Sequence, residues 1–304
     1  MKIPPVSFVL IFFLFGILII PKASAEHIDL DYVGDGNERQ MLDLLLPDKP
    51  SSGKIPLVVW IHGGGWRSGT KASGYARRLV GHPDYAVARI NYRLTKEAVW
   101  PAQLHDCKAA IRYLRANASK YGIDPDRIAV AGSSAGGHLA SCLGTMMGGK
   151  DHEGEVGPHL GVSTRVSCVM NFLGGSYLCD RKGNTDPSLD KPGSAIFQLM
   201  GGKPSTMPKK ALSASPLYHV DENTAPFLFV HGTSDSVVII KHADVLVATI
   251  ERTQGIDVPF VRINEAEHGR GFGPTVYLIV KQYLDHQLLK KGEPVKDQTL
   301  KRDE

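Results

Sequence analysis

Short apolar runs recur along the chain at LVVWI (57–61), YAVARI (85–90), RIAVAG (127–132), VSCVMNF (166–172), FLFVHG (227–232) and VPFVRI (258–263). Most are apolar at nearly every position. A strand with one face in water alternates polar and apolar residues, whereas a strand covered on both faces does not. Between the runs, segments 101–120, 135–147, 237–252 and 274–289 carry apolar residues three and four apart, which is helical spacing. Pro101 suits a first helical turn. Strands buried on both sides and alternating with helices leave few architectures. The pattern predicts a mostly parallel sheet between two helical layers. Two earlier strand-like runs, HIDLDYV (27–33) and MLDLLL (41–46), bring the expected sheet to eight strands.

The chemistry concentrates where one strand turns into a helix. In RIAVAGSSAGGHLASCLG (127–144) a strand runs into Gly132-Ser133-Ser134-Ala135-Gly136, and helical spacing begins at once. This is G-x-S-x-G with Ser134 at its centre. The turn is so sharp that side chains at 132 and 136 are expected to collide with neighbouring chain. Ser134 then stands above the sheet at the positive end of a helix. A serine hydroxyl is a feeble nucleophile near neutral pH, so it needs a base, and the base needs an orienting acid. Asp235 follows the strand FLFVHG and His268 follows VPFVRI, each on the loop side that the chemistry requires.

Each of these partners has a rival reading. Asp235 is also placed to cap a helix starting near Val237. Asp257 precedes the last strand and lies at the wrong end of the sheet. His62, His138 and His231 are expected to organise loops through hydrogen bonds, and Glu265 and Glu267 to be solvated loop charges.

The stretch IHGGGWRSG (61–69) places three glycines behind the first buried strand. Glycine loses the most freedom on ordering, so a triplet here calls for a reason. Attack on an ester turns the carbonyl oxygen into an alkoxide, which backbone N–H groups stabilise best when they are preorganised. The amide of Ala135, next to the nucleophile, is one expected donor. The glycine loop, at the same sheet edge, is expected to supply the other. Trp66 is placed to roof the substrate site or brace the loop.

The remaining segments set limits. MKIPPVSFVLIFFLFGILIIPKASA reads as an export leader over 1–25, cleaved after Ala25, with an uncleaved anchor as the minor reading. A secreted or periplasmic protein without stable membrane association is the expectation. Segment 148–216 is dense in Gly and Pro and reads as a cap-like insertion, with one short helix near 194–200. The catalytic domain is expected over 26–290 and a loose polar tail over 291–304. Cys107, Cys142, Cys168 and Cys179 read as small buried hydrophobes, although an exported chain permits disulfides. The sequon at Asn117 lies in a helical stretch. A formal charge of +4 without a basic block argues against nucleic acid. The spacing of His, Cys, Asp and Glu suggests no metal site, and the chemistry calls for no cofactor.

With these residues in place, HGGGW, GSSAG, HGTSD and His268 resemble the α/β-hydrolase esterases with an H-G-G-G-type oxyanion loop. The closest resemblance is to the bifunctional feruloyl and acetylxylan esterase-like hydrolases, near the hormone-sensitive-lipase-like and formamidase branches. Asn91-Tyr92-Arg93-Leu94, WPAQLHDCKAAIRYLR and YGIDPDRIAVAG extend the likeness over 29–289. The resemblance implies the α/β-hydrolase fold, with Ser134 as nucleophile, Asp235 as acid and His268 as base. It implies oxyanion donors at Gly64, Gly65 and Ala135, with Gly63 or Trp66 as substitutes. Export and the family together point to short acyl esters, acetyl above all, of a small molecule or plant-type carbohydrate. An N-formyl amide hydrolase is one other reading; a binding protein on a hydrolase scaffold is another. A prolyl-type peptidase is disfavoured because the chain has no room for a propeller.

Overall fold

The computed structural model describes residues 25–47, 53–73, 84–148 and 150–303. The leader expected over 1–25 lies outside them except for Ala25. The strands are β1 (Ala25–Asp31), β2 (Met41–Leu46), β3 (Ile55–Ile61), β4 (Ala86–Ile90) and β5 (Ile123–Ser133), followed by β6 (Cys168–Phe172), β7 (Phe227–Gly232), β8 (Phe260–Ile263) and β9 (Gln298–Leu300). They form one sheet in the order β1-β2-β4-β3-β5-β6-β7-β8-β9. The β1–β2 and β2–β4 pairs are antiparallel, and the remainder are parallel.

The continuous apolar runs have a direct explanation in this sheet. Leu57, Val59 and Ile61 of β3 enter one core, with Ile128 and Val130 of β5 and Phe227 and Phe229 of β7. That core is closed by α1 (Ala102–Ala116), α2 (Ala135–Thr145) and part of α5 (Lys241–Gln254), among them Leu104, Leu139 and Leu246. The intervening residues Val58, Trp60, Ala129, Ala131, Leu228 and Val230 enter a second core on the opposite face. There they meet Val276, Ile279, Val280 and Tyr283 of α6 (Thr275–Leu284). Successive side chains of a strand point to opposite faces, so a strand serving two cores has no polar phase. The three-layer α/β-hydrolase arrangement is thus present, with helices on both faces.

Two expectations need correction. Among the described residues the sheet has nine strands rather than eight, and the ninth lies in the tail that reads as loose. Gln298–Leu300 pairs with β8 through Val261, Arg262 and Ile263, and Leu300 is buried. A three-residue strand with one buried side chain is too short to show periodicity in a polar sequence. Besides a four-residue helical turn at Lys150–Glu153 and short 3-10 turns, the 148–216 segment also holds two helices, not one. The expected helix is α3 (Ala195–Met200), capped by the Ser194 hydroxyl, which accepts from the Ile196 and Phe197 amides. Proline opens the other, α4 (Pro208–Ser213). The segment is tied down where His138 Nε2 donates to the Ala214 carbonyl at 2.7 Å. The Trp100 amide also donates to Leu199 O at 2.8 Å.

Candidate active site

The turn between β5 and α2 holds Ser134 at φ +54°, ψ −119°. This conformation costs a non-glycine residue roughly 1–3 kcal/mol and persists only where the surroundings enforce it. They do so sterically. A Cβ on Gly132 would lie 2.3 Å from Gly136 O, and one on Gly136 would lie 2.1 Å from Ile61 O. The collision expected at positions 132 and 136 is therefore with backbone, which has nowhere to go. The Ser134 amide donates to Phe172 O at 2.9 Å, locking the turn onto the end of β6. Every residue of α2 is buried, so its positive end acts at Ser134 with little screening.

Asp235 lies three residues beyond β7 and its side chain is fully buried. Its Oδ2 is 2.7 Å from His268 Nδ1. Its Oδ1 accepts the amides of Val237 and Val238, each at 2.9 Å. Both readings of Asp235 thus hold in one side chain. One oxygen caps a turn and the other orients an imidazole. The helix expected near Val237 begins instead at Lys241, as α5. Burial pushes the Asp235 carboxyl up, but hydrogen bonds from His231, His268 and the Val238 amide more than reverse this. The group is held well below the usual carboxylate range and stays ionised.

His231 is the unforeseen member of this cluster. Its Nε2 donates to Val238 O at 2.7 Å and lies 3.3 Å from Asp235 Oδ2, the oxygen that holds His268. The sequence placed His231 among the loop organisers, which it is. Only the fold shows that the loop it organises is that of the acid. Nearby His138 and His242 are pushed down to about 4, first of all by burial, and are neutral near pH 7.

The glycine loop is held from beneath. Arg39 donates to Tyr92 O at 3.2 Å, to Gly69 O at 3.1 Å and to His62 Nε2 at 3.3 Å. A guanidinium only donates, so His62 accepts at Nε2 and carries its proton on Nδ1. That Nδ1–H then donates to Gly63 O at 2.7 Å. Burial pushes His62 down to about 4, which keeps this neutral tautomer. The Gly64 carbonyl is pinned in turn by the Arg67 and Ser68 amides, at 3.2 and 3.1 Å. A trans peptide directs its N–H opposite to its C=O, so two pinned carbonyls fix the directions of the Gly64 and Gly65 amides. Both glycines have positive φ, +112° and +59°, which is why a side chain is disfavoured there. Tyr92 stacks on His62 at 4.3 Å and donates to its carbonyl. Arg39 and Tyr92 escaped the sequence reading. NYRL was noted, but nothing local in it signals a contact across 30 residues of chain.

Ser134 stands between two cavities. The smaller, about 290 Å³, is lined by Gly63, Gly64, Gly65, Ser134, His268 and Phe272, among others. The larger, about 510 Å³, is lined by Trp66, Ser134, Ala135, Tyr177, Ile196 and Val238, with others from the 148–216 segment. The fold thus brings Ser134, His268 and the glycine loop to one cavity wall, with Asp235 directly behind His268. Trp66 both lines the larger cavity and braces α2, its ring edge-on to His138 at 5.1 Å. All four cysteines are buried and free. Asp257, Glu265 and Glu267 are exposed. Among the described residues, no group of three or more His, Cys, Asp or Glu could hold a metal ion.

The BD-FAE family model matches residues 42–250, more than half of the chain. Esterase LipC of Mycobacterium tuberculosis is 30% identical over 254 residues, covering 79% of this chain and 60% of LipC. The chain spans about 60% of the length of the curated relatives it matches. Among solved structures, a truncated carbohydrate esterase from gut microbiota superposes with a TM-score of 0.81 at 28% identity. That alignment covers 88% of this chain and 98% of the other. A bifunctional GH43-CE protein of Bacteroides eggerthii gives a TM-score of 0.77 at 30% identity, covering 88% of this chain and 35% of the other.

Proposed function

The chain belongs to the BD-FAE family of α/β-hydrolase esterases, and on that premise we propose that it is a serine hydrolase cleaving carboxylic esters through an acyl-enzyme. Ser134 attacks the ester carbonyl while His268 takes its proton at Nε2. The 2.7 Å contact between His268 Nδ1 and Asp235 Oδ2 orients the ring and stabilises the imidazolium that forms. The amides of Gly64, Gly65 and Ala135 receive the developing alkoxide. Loss of one such donor typically costs roughly 3–4 kcal/mol of barrier. His268 then protonates the leaving alcohol. Water attacks the acyl group with the same base assisting, and Ser134 is regenerated.

The observation that carries this reading is the meeting of Ser134, His268 and the glycine loop at one cavity, with a buried, ionised carboxylate on the far nitrogen of the base. The preferred substrates are short acyl esters, acetyl foremost, on carbohydrate; one structural relative is named a carbohydrate esterase. Export, through a leader over 1–25, belongs to the same proposal. The test is hydrolysis of p-nitrophenyl acetate and acetylated xylan, with fluorophosphonate labelling. Turnover and labelling in the parent protein, with both abolished in Ser134→Ala, are expected. A folded parent that does not label would overturn the enzyme reading in favour of a binding scaffold.

A further inference from the structure

His268 sits on the loop that joins β8 to α6, and its side chain is partly exposed. The hydrophobic core does not grip the ring, so the loop must be held by its ends. On one side the acid loop does this: the Ser234 amide donates to Ala266 O at 3.0 Å, and Thr233 Oγ1 accepts the Glu265 amide at 2.8 Å. On the other side the grip comes from the end of the chain. The Asn264 amide donates to Leu300 O at 2.9 Å. Arg302 Nη1 donates to Glu265 O at 3.3 Å, and the Asp303 amide donates to Gly271 O at 2.8 Å. Packing adds to these bonds. A Cβ on Gly271 would fall 2.7 Å from Arg302 Cγ, so the arginine stem lies directly on the loop. Leu300 and Ala266 are buried in the same core.

We propose that the segment from β9 to Asp303 is a positioning element for His268. It holds residues on both sides of the histidine, at 264–265 and at 271, and so fixes the ring relative to Ser134. This rests on the reading of His268 as the base. Asp303 reaches Gly271 in a left-handed conformation, φ +61°, which presents its amide to that carbonyl just past the end of the strand. A base displaced by about 1 Å can cost up to about a hundredfold in rate, even when the change is made far from the reacting atoms.

The experiment compares the parent chain with Arg302→Ala, Asp303→Pro, Asp303→Gly and a chain ended at Leu300. p-Nitrophenyl acetate turnover is expressed per site labelled by fluorophosphonate. Arg302→Ala and Asp303→Pro should each lower kcat about three- to tenfold, with KM within about twofold. The shortened chain should lose about tenfold or more. Asp303→Gly keeps the amide and tolerates the left-handed backbone, and should turn over at the parental rate. A merely structural tail would lower the fraction of labelled sites and leave kcat per site unchanged, which would overturn the proposal. Should the shortened chain not fold, the proline and glycine variants at 303 decide: equal rates would also overturn it. Absence of turnover in the parent would instead strike the esterase reading.

Discussion

Asp235 shows how much one side chain can be asked to do when both of its oxygens are committed. One holds a turn, and the other is shared between His268 and His231. His231→Met removes the donor from that oxygen and leaves the Val238 carbonyl unpaired. A fall of about tenfold in kcat is expected, on the scale of one hydrogen bond to a charged group. His231→Gln places an amide nitrogen where Nε2 stood and should keep most of the rate. Stability follows the same carboxylate. Its folded value lies below the ordinary one, so its contribution is present above about pH 4 and is lost as pH falls through the folded value. Urea midpoints of the parent and Asp235→Asn should therefore differ at pH 7, and the difference should shrink progressively as pH is taken below about 4.

At the scale of elements, the strand–turn–helix around Ser134 depends on three stretches of backbone being closer than any Cβ permits. Gly136→Ala forces a methyl against Ile61 O, and neither atom belongs to a flexible side chain. A loss of about 3 kcal/mol in chemical denaturation is expected, and an undiminished midpoint would contradict the steric account. This element was legible in the sequence because its constraint is local: glycines at fixed offsets, a buried strand before and a helix after. Asp235 and His268 were legible for a related reason, since each follows a recognisable strand. His231, Arg39 and Tyr92 were not. Their roles arise from contacts between segments that only the folded sheet brings together, and nothing in the spacing of a lone Arg or Tyr reports them. Within the 148–216 segment, proline and glycine punctuation announced an insertion but hid the second helix, six residues long, below the length at which periodicity speaks.

At the scale of the whole molecule, the misread tail carries the clearest lesson. Hydropathy follows buried area, and β9 buries little of it. The tail is held largely by backbone hydrogen bonds, which sequence composition does not encode. Burial of Leu300 alone is worth about 2 kcal/mol, so the sheet edge there is a modest contributor to stability. The larger architecture has a different sensitivity. Alternate residues of β3, β5 and β7 supply two separate interiors on opposite sides of one wall. Adding or dropping a single residue in the middle of such a strand would exchange the contents of both compartments at once, sending Trp60 where Val59 belongs. An insertion or deletion is therefore expected to be tolerated in the connections and not within β3, β5 or β7.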